Sequence, residues 1–168
     1  MLYILAALVE DVNEQRKYIT SKIEDQISKL IKLQANIDDD KIIIIKGKNW
    51  NPGVIGIDTD RLKEKFRRPA IILTEFENSS YLRGSVRSVP TIDIYSILDN
   101  VADIFEEKYK HPLFKIEVET DSGKKTVSAF GGHSQACGFC LHQDDVENFK
   151  KIVYEEIEKV PMDNFNYT

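Results

Sequence analysis

The sequence has no stretch that reads as a membrane anchor or an export signal. Its opening apolar segment, Met1 to Val9, is far shorter than the roughly 20 residues a bilayer requires. No basic region precedes it and no small-residue cleavage site follows, so it does not read as a signal peptide. It reads as the buried end of a helix, or as a surface that meets another domain or a partner. Cysteine is scarce too: two residues and no export signal point to a reducing cytoplasm rather than a disulfide framework. Positive charge is in deficit. With 23 Lys and Arg against 28 Asp and Glu, the formal charge is -5, so no global field draws the chain to nucleic acid. Any such binding must come from a local patch. Internal repeats and low-complexity segments are also absent.

What remains is suited to a compact core. The 168 residues are 42% hydrophobic and 30% charged, the size and composition of one soluble domain, or of one domain with an attached helix. One local basic patch stands out: Arg61, Lys63, Lys65, Arg67 and Arg68 outnumber Asp60 and Glu64, and Lys46 and Lys48 lie upstream. A solvated helix face gives the same pattern.

From Leu8 to Ile37 there is no Gly or Pro, and Val12, Ile19, Ile23, Ile27, Leu30 and Ile37 line one helical face. A helix of that length fits a connection between domains, ended by Asn36 and the acidic run Asp38 to Asp40. Ile42 to Ile45 and Pro69 to Thr74 are continuous apolar runs, the signature of strands buried on both faces. Val54 to Phe66 reads as a helix between them, so the three elements form a parallel βαβ unit. Tyr81 to Val89 predicts a strand, and Ile92 to Tyr109 a helix with Thr91 as its N-cap. Phe114 to Thr120 and Thr126 to Phe130 predict a hairpin around Asp121-Ser122-Gly123. Gly131 to Cys137 reads as a loop, Gly138 to His142 as a strand, and a last helix opens at Asp144 and Asp145 and runs through Ile157. The fold class is α/β, a mixed sheet flanked by helices.

Three stretches are poor for packing and good for holding phosphate. In Trp50-Asn51-Pro52-Gly53-Val54-Ile55-Gly56-Ile57 a strand ends and a helix begins, and its free N–H groups would face an anion. An ordinary turn with Trp50 plugging the core has the same sequence. In Arg83-Gly84-Ser85-Val86-Arg87-Ser88, a strand puts Arg83, Ser85 and Arg87 on one side, two guanidiniums flanking a hydroxyl. Two solvated arginines would look alike. In Gly131-Gly132-His133, paired glycines let backbone amides approach a phosphate, and His133 is placed to donate to it or to complete a metal site supplied by another domain. A histidine in a turn usually has no such task.

Taken together, Trp-x-Pro-Gly-Val-Ile-Gly-Ile, Arg-Pro-Ala-Ile-Ile-Leu at Arg68 to Leu73, Gly-Ser-x-Arg-Ser and Gly-Gly-His-x-x-Ala-x-Gly-Phe resemble the DHHA1 domain of RecJ-like exonucleases, within the DHH phosphoesterase superfamily. Leu8 to Lys17 is similar to the end of the helix that joins the two core domains there. The resemblance implies a connecting helix over 1–40, a nucleic-acid-binding domain over 41–160 and a tail over 161–168. It implies that Arg83, Gly84, Ser85, Arg87, Ser88, Asn51 and Gly53 contact the nucleic-acid backbone. It also implies that Gly131, Gly132 and His133 hold phosphate near the scissile bond, with His133 in a supporting catalytic role. Cutting in that family is done by two metal ions on a separate domain, so Mn or Mg is expected only with that domain and no cofactor with this chain.

The chain departs from the pattern in three places. Asn51 stands where the family commonly has His. The hairpin of about Pro112 to Val127 reads as an insertion, suited to protein contact. No Asp-His-His triplet is present, and the Asp58-Thr59-Asp60 pair reads as helix surface. Cys137 and Cys140, with His133 and His142, have spacing that suits zinc or redox chemistry, but on a strand they face opposite sides and read as buried thiols.

The expectation is therefore a cytoplasmic module for single-stranded DNA or RNA, gripped by the backbone, with a DHH catalytic domain or a replication or repair protein as partner and no membrane. Two alternatives stand beside it: a non-catalytic accessory subunit that binds such a protein, and part of a small-nucleotide phosphodiesterase of the same superfamily.

Overall fold

The computed structural model of the protein describes residues 22–165 together with 12, 14 and 15. The expectations for Met1 to Val9, and for most of the helix before residue 22, lie outside the described residues.

Helix α1 covers 22–34 and closes in a turn where the Asn36 amide donates to Asp40 Oδ2 at 2.9 Å. The chain then runs β1 (Ile43–Lys48), α2 (Pro52–Phe66), β2 (Ala70–Glu75), β3 (Tyr81–Arg87), α3 (Ile94–Tyr109), β4 (Lys115–Thr120), β5 (Gly123–Ser128), β6 (Phe130–His133), β7 (Ala136–His142) and α4 (Val146–Glu158). Five strands form one mixed sheet in the order β1-β2-β3-β7-β6, in which β1 and β2 are parallel and the remaining neighbours antiparallel. The hairpin β4–β5 is a separate two-stranded sheet.

The sheet has a buried face and a divided face, and the sequence pattern explains both. On the first face Ile42, Ile44, Ile71, Leu73, Leu82, Val86, Phe139 and Leu141 pack with Leu98, Val101 and Phe105 of α3 and Phe149, Ile152 and Val153 of α4. Phe139 sits 4.7 Å from Phe114 and 5.2 Å from Phe149, centroid to centroid, so truncating it to Ala would cost about 3–5 kcal/mol. On the second face Ile43, Ile45, Ala70 and Ile72 pack beneath Ile23 and Ile27 of α1, Ile55 and Leu62 of α2, and Trp50. That second layer covers β1 and β2, so those strands read as continuous apolar runs. Strand β3, which α2 covers only in part, and strand β7 alternate buried with more exposed residues.

Local chemistry sets the element ends. Asn51 caps α2, its Oδ1 accepting from Gly53 N at 2.8 Å, and Arg67 ends the helix in the left-handed region at φ 55°. Trp50 plugs the second core, donating from Nε1 to Gln26 Oε1 at 2.7 Å. Its ring lies where a Cβ on Gly47 would stand, which requires glycine there. The free edge of β1 is blunted by Gln34, whose amide accepts from Lys46 N and donates to Lys46 O.

Three expectations need correction. Helix α3 is capped by Asp93, which accepts from Ser96 N at 3.1 Å, whereas the Thr91 hydroxyl bonds the Asn164 carbonyl. Gly131 to Cys137 is not a loop: β6 reaches His133 and β7 begins at Ala136, with Ser134 and Gln135 as the turn between them. Phe130 belongs to β6 rather than to the hairpin, separated from it by Ala129, whose carbonyl accepts from Cys140 N at 2.9 Å.

Candidate nucleic-acid interface

Helix α2 packs along β2 and part of β3, so the open part of the second face lies over β7 and β6 and is bordered by the side chains of β3. Cross-strand partners share a face, so the register assigns its side chains to successive rungs. Arg87, Ala136 and His133 form one rung; Ser85, Gly138 and Gly131 the next; Arg83 and Cys140 a third; Tyr81 and His142 a fourth. Rungs are two residues apart, a spacing of about 6–7 Å. The first two rungs continue into Ala70 and Ile72 of β2 and the third into Thr74. None of these positions is Asp or Glu. Arg83, Gly131, Gly138 and His133 are exposed, and Ser85, Arg87, Ala136 and Cys140 are half-buried. The structure thus brings Arg83, Ser85, Arg87, Gly131 and His133 together on one open strip.

The charged groups on this strip are held by local contacts. Arg87 donates from Nη1 to the Val86 carbonyl at 2.8 Å. Its Nη2 lies 3.0 Å from where a Gly56 Cβ would be, so the glycine in α2 lets the guanidinium lie against the helix. Neither Arg87 nor Arg83 forms an ion pair among the described residues. His133 Nδ1 accepts from Gln135 N at 3.4 Å, which occupies that nitrogen and leaves Nε2 as the ring's second polar atom. A small cleft of about 20 Å³, room for one water, separates Arg83 and Ser85 from Pro52 and Ile55. The buried Thr74 hydroxyl, with no partner among the described residues, lines the same cleft.

The glycines divide by role. Gly132 has φ 136°, and a Cβ there would run into the Ala136 carbonyl and Cys137, so the backbone itself demands glycine. Gly131 has nothing within 4 Å of a notional Cβ and no positive φ, so neither packing nor backbone demands glycine there. Its effect is to leave the surface beside Ser85 and His133 clear.

Several predicted contacts sit elsewhere. Gly84 faces the core, where the Phe139 ring occupies the place of its side chain. Ser88 is fully buried; its hydroxyl donates to Ile92 O at 2.8 Å and its amide to Gln135 O at 2.9 Å. Ser88 therefore holds the turn that carries His133 and does not reach the strip. At the start of α2 the amides expected to be free are taken: Gly53 N bonds Asn51 Oδ1, and Val54 N and Ile55 N bond Asn51 O. Asn51 and Gly53 border the strip as a closed cap, not as an anion-binding terminus.

The basic patch is a paired surface. Arg61 meets Glu24, and Lys63 lies 3.2 Å from Asp60 and 2.7 Å from Glu64. Arg68 donates to the carbonyls of Ile37, Asp40 and Phe66, tying the turn after α1 to the entry of β2. Lys46 and Lys48 approach Glu75 at 3.3 and 4.0 Å. These two lysines and Glu75 line a cavity of about 560 Å³ between α1 and the end of β1, whose lining includes none of the strip residues.

Asp58 also departs from expectation. It is 2% exposed, and neither carboxylate oxygen has a hydrogen-bond partner among the described residues. Burial pushes its pKa up to about 6. Burial likewise raises the Cys137 thiol to about 11 and raises that of Cys140, the opposite of a reactive or metal-bound thiolate. Among the described residues no three His, Cys, Asp or Glu side chains gather as metal ligands, so His133 could meet a metal only with ligands from elsewhere. No described helix is long and apolar enough to cross a membrane.

Sequence reasoning missed Ala136, Gly138 and Cys140 as the floor of the strip. The signal is the alternation of Cys137, Phe139 and Leu141 with those small residues, which the glycine pair masks by resembling the start of a loop.

Comparison with known proteins gives concordant matches. The family described as the DHHA1 domain matches residues 39–159. The single-stranded-DNA-specific exonuclease RecJ of Bacillus subtilis (strain 168) is 29% identical over 151 residues, 90% of this chain and 16% of that protein. Its counterpart in Escherichia coli (strain K12) is 26% identical over 150 residues, 88% of this chain and 23% of that protein. The chain thus spans between 16% and 23% of the length of these relatives. Among solved structures, RecJ from Thermus thermophilus in complex with Mg2+ aligns over 90% of this chain and 19% of its own, with a TM-score of 0.63 at 22% identity. A structure of exonuclease RecJ bound to manganese gives 0.61 at 22% identity, over 90% of this chain and 31% of its own.

Proposed function

The chain belongs to the DHHA1 domain family, and from that premise we propose that it binds single-stranded nucleic acid along the open strip of its sheet. The observation that carries this reading is the row Arg87–Ala136–His133 beside Ser85–Gly138–Gly131, cationic or donor groups next to a side-chain-free floor with no carboxylate among them. Arg87 and Arg83, two rungs apart at about 13 Å, contact separate phosphates of one strand, and the Ser85 hydroxyl donates between them. His133 offers Nε2–H to a phosphate oxygen. Glycines 131 and 138 let the sugar-phosphate chain approach the sheet.

Grip through the backbone gives modest sequence preference and strong salt dependence. The relatives' named activity, single-strand-specific exonuclease, fits a division of labour in which this module holds the strand and presents His133 to metal ions bound on another domain. By itself the chain binds and does not cut.

The test pairs two measurements on this chain. Fluorescence anisotropy with a labelled single-stranded oligonucleotide at low salt is expected to show binding that Arg87→Ala weakens. A nuclease assay with manganese is expected to show no cleavage. Absence of binding, or binding indifferent to Arg87→Ala, contradicts the reading; manganese-dependent cleavage by this chain contradicts the division of labour.

A further inference from the structure

Resting on that reading, we propose that the strip continues to its fourth rung, where Tyr81 and His142 form a seat against which one base of the bound strand stacks. Tyr81 lies on β3 directly opposite His142 on β7, in the same alternation that places Arg83, Ser85 and Arg87 on the open face. Phe105, Phe114, Phe139 and Phe149 belong to the core on the other face, and Trp50 belongs to the core beneath α1 and α2. Tyr81 and His142 belong to neither core cluster, and both are half-buried. Neither ring is enclosed in a core, and both keep part of their surface accessible to a ligand.

Their geometry is set before any ligand arrives. The ring centroids are 5.3 Å apart at 86°, edge to face. His142 Nδ1 accepts from Asp144 N at 3.1 Å, with Asp144 Oδ2 3.5 Å away, which fixes the imidazole at the start of the turn into α4. The Tyr81 hydroxyl accepts from Glu117 N at 3.4 Å, so the β4–β5 hairpin stands beside this end of the strip. The seat is one rung beyond Arg83, about 6–7 Å, so a strand whose phosphate is held by Arg83 has its next nucleotide over the rings. Aromatic stacking tolerates any base, which suits a site that otherwise reads the backbone.

The test uses this chain and short labelled oligonucleotides by fluorescence anisotropy, in two arms. In the first, Tyr81→Leu is expected to lower affinity by about five- to hundredfold, while Tyr81→Phe stays within about twofold of the unaltered protein. In the second, the unaltered protein is scanned with oligonucleotides carrying one abasic residue at successive positions. One position is expected to weaken binding by a similar factor, and Tyr81→Leu is expected to be indifferent to it. If no abasic position weakens binding to the unaltered protein, or if Tyr81→Leu binds as it does while Arg87→Ala weakens, the seat is overturned and the backbone reading survives. If the unaltered protein does not bind single strands, both are overturned.

Discussion

Gly131 and Gly132 are neighbours with opposite requirements, and this contrast is testable. Gly132 sits at φ 136° with the Ala136 carbonyl in the place of a side chain, so Gly132→Ala is expected to cost more than about 2 kcal/mol, read as a lowered denaturation midpoint. Gly131→Ala meets nothing within 4 Å and is expected to keep stability within about 0.5 kcal/mol, while its methyl group weakens strand binding in the anisotropy assay. Asp58 supplies a second prediction. Its carboxyl is raised by burial from 3.8 to about 6, so the folded state holds its proton more tightly than the unfolded state. Ionising it therefore costs stability, and that cost grows as pH rises from about 4 to about 6. Asp58→Asn is expected to raise the melting temperature at pH 7 and to leave it nearly unchanged below pH 4. Thermal melts across that range check the sign.

Helix α2 shows how an element built for packing also shapes the strip. Gly56 sits in its interior, where Ala is favoured by up to about 1 kcal/mol. A Cβ there would stand 3.0 Å from Arg87 Nη2, close enough to push the guanidinium by a few tenths of an ångström. Gly56→Ala is thus expected to stabilise the protein yet weaken single-strand binding, by less than Arg87→Ala does. Chemical denaturation and anisotropy on the same variant separate the two effects. The strands show what the sequence made legible. Continuous Ile42 to Ile45 against alternating Tyr81 to Arg87 marked which strands lie between two layers, and the alternation put both arginines on one side. The partners of charges were not legible: Arg61 with Glu24, and Arg68 with the carbonyls of Ile37 and Asp40, are tertiary contacts across stretches of chain with no local signal. The buried state of Asp58 was hidden for the same reason, since an Asp between Ile57 and Thr59 on a charged helix looks like surface. The Asn51 cap was readable from the Asn-Pro start of the helix, but the expectation of free amides outweighed it.

At the scale of the molecule, a net charge of -5 and a strand-binding role are compatible because the charge is segregated. The rungs over β3, β7 and β6 carry no acid, while Arg61, Lys63 and Arg68 of the basic patch are spent on neighbouring carboxylates and carbonyls. The second layer borders the strip where α2 packs along β3, and the surface beyond it, over β7 and β6, is the part proposed to take a strand. The chain spans 16% to 23% of the length of these relatives. The claim on which this account turns is that Arg83 and Arg87 neutralise two phosphates of one strand. The slope of log K against log salt for a single-stranded oligonucleotide tests it most directly. The account predicts that the Arg83→Ala, Arg87→Ala double variant loses about 1.4 from the magnitude of that slope, about 0.7 for each phosphate contact. An unchanged slope, with the fold intact by circular dichroism, would contradict it.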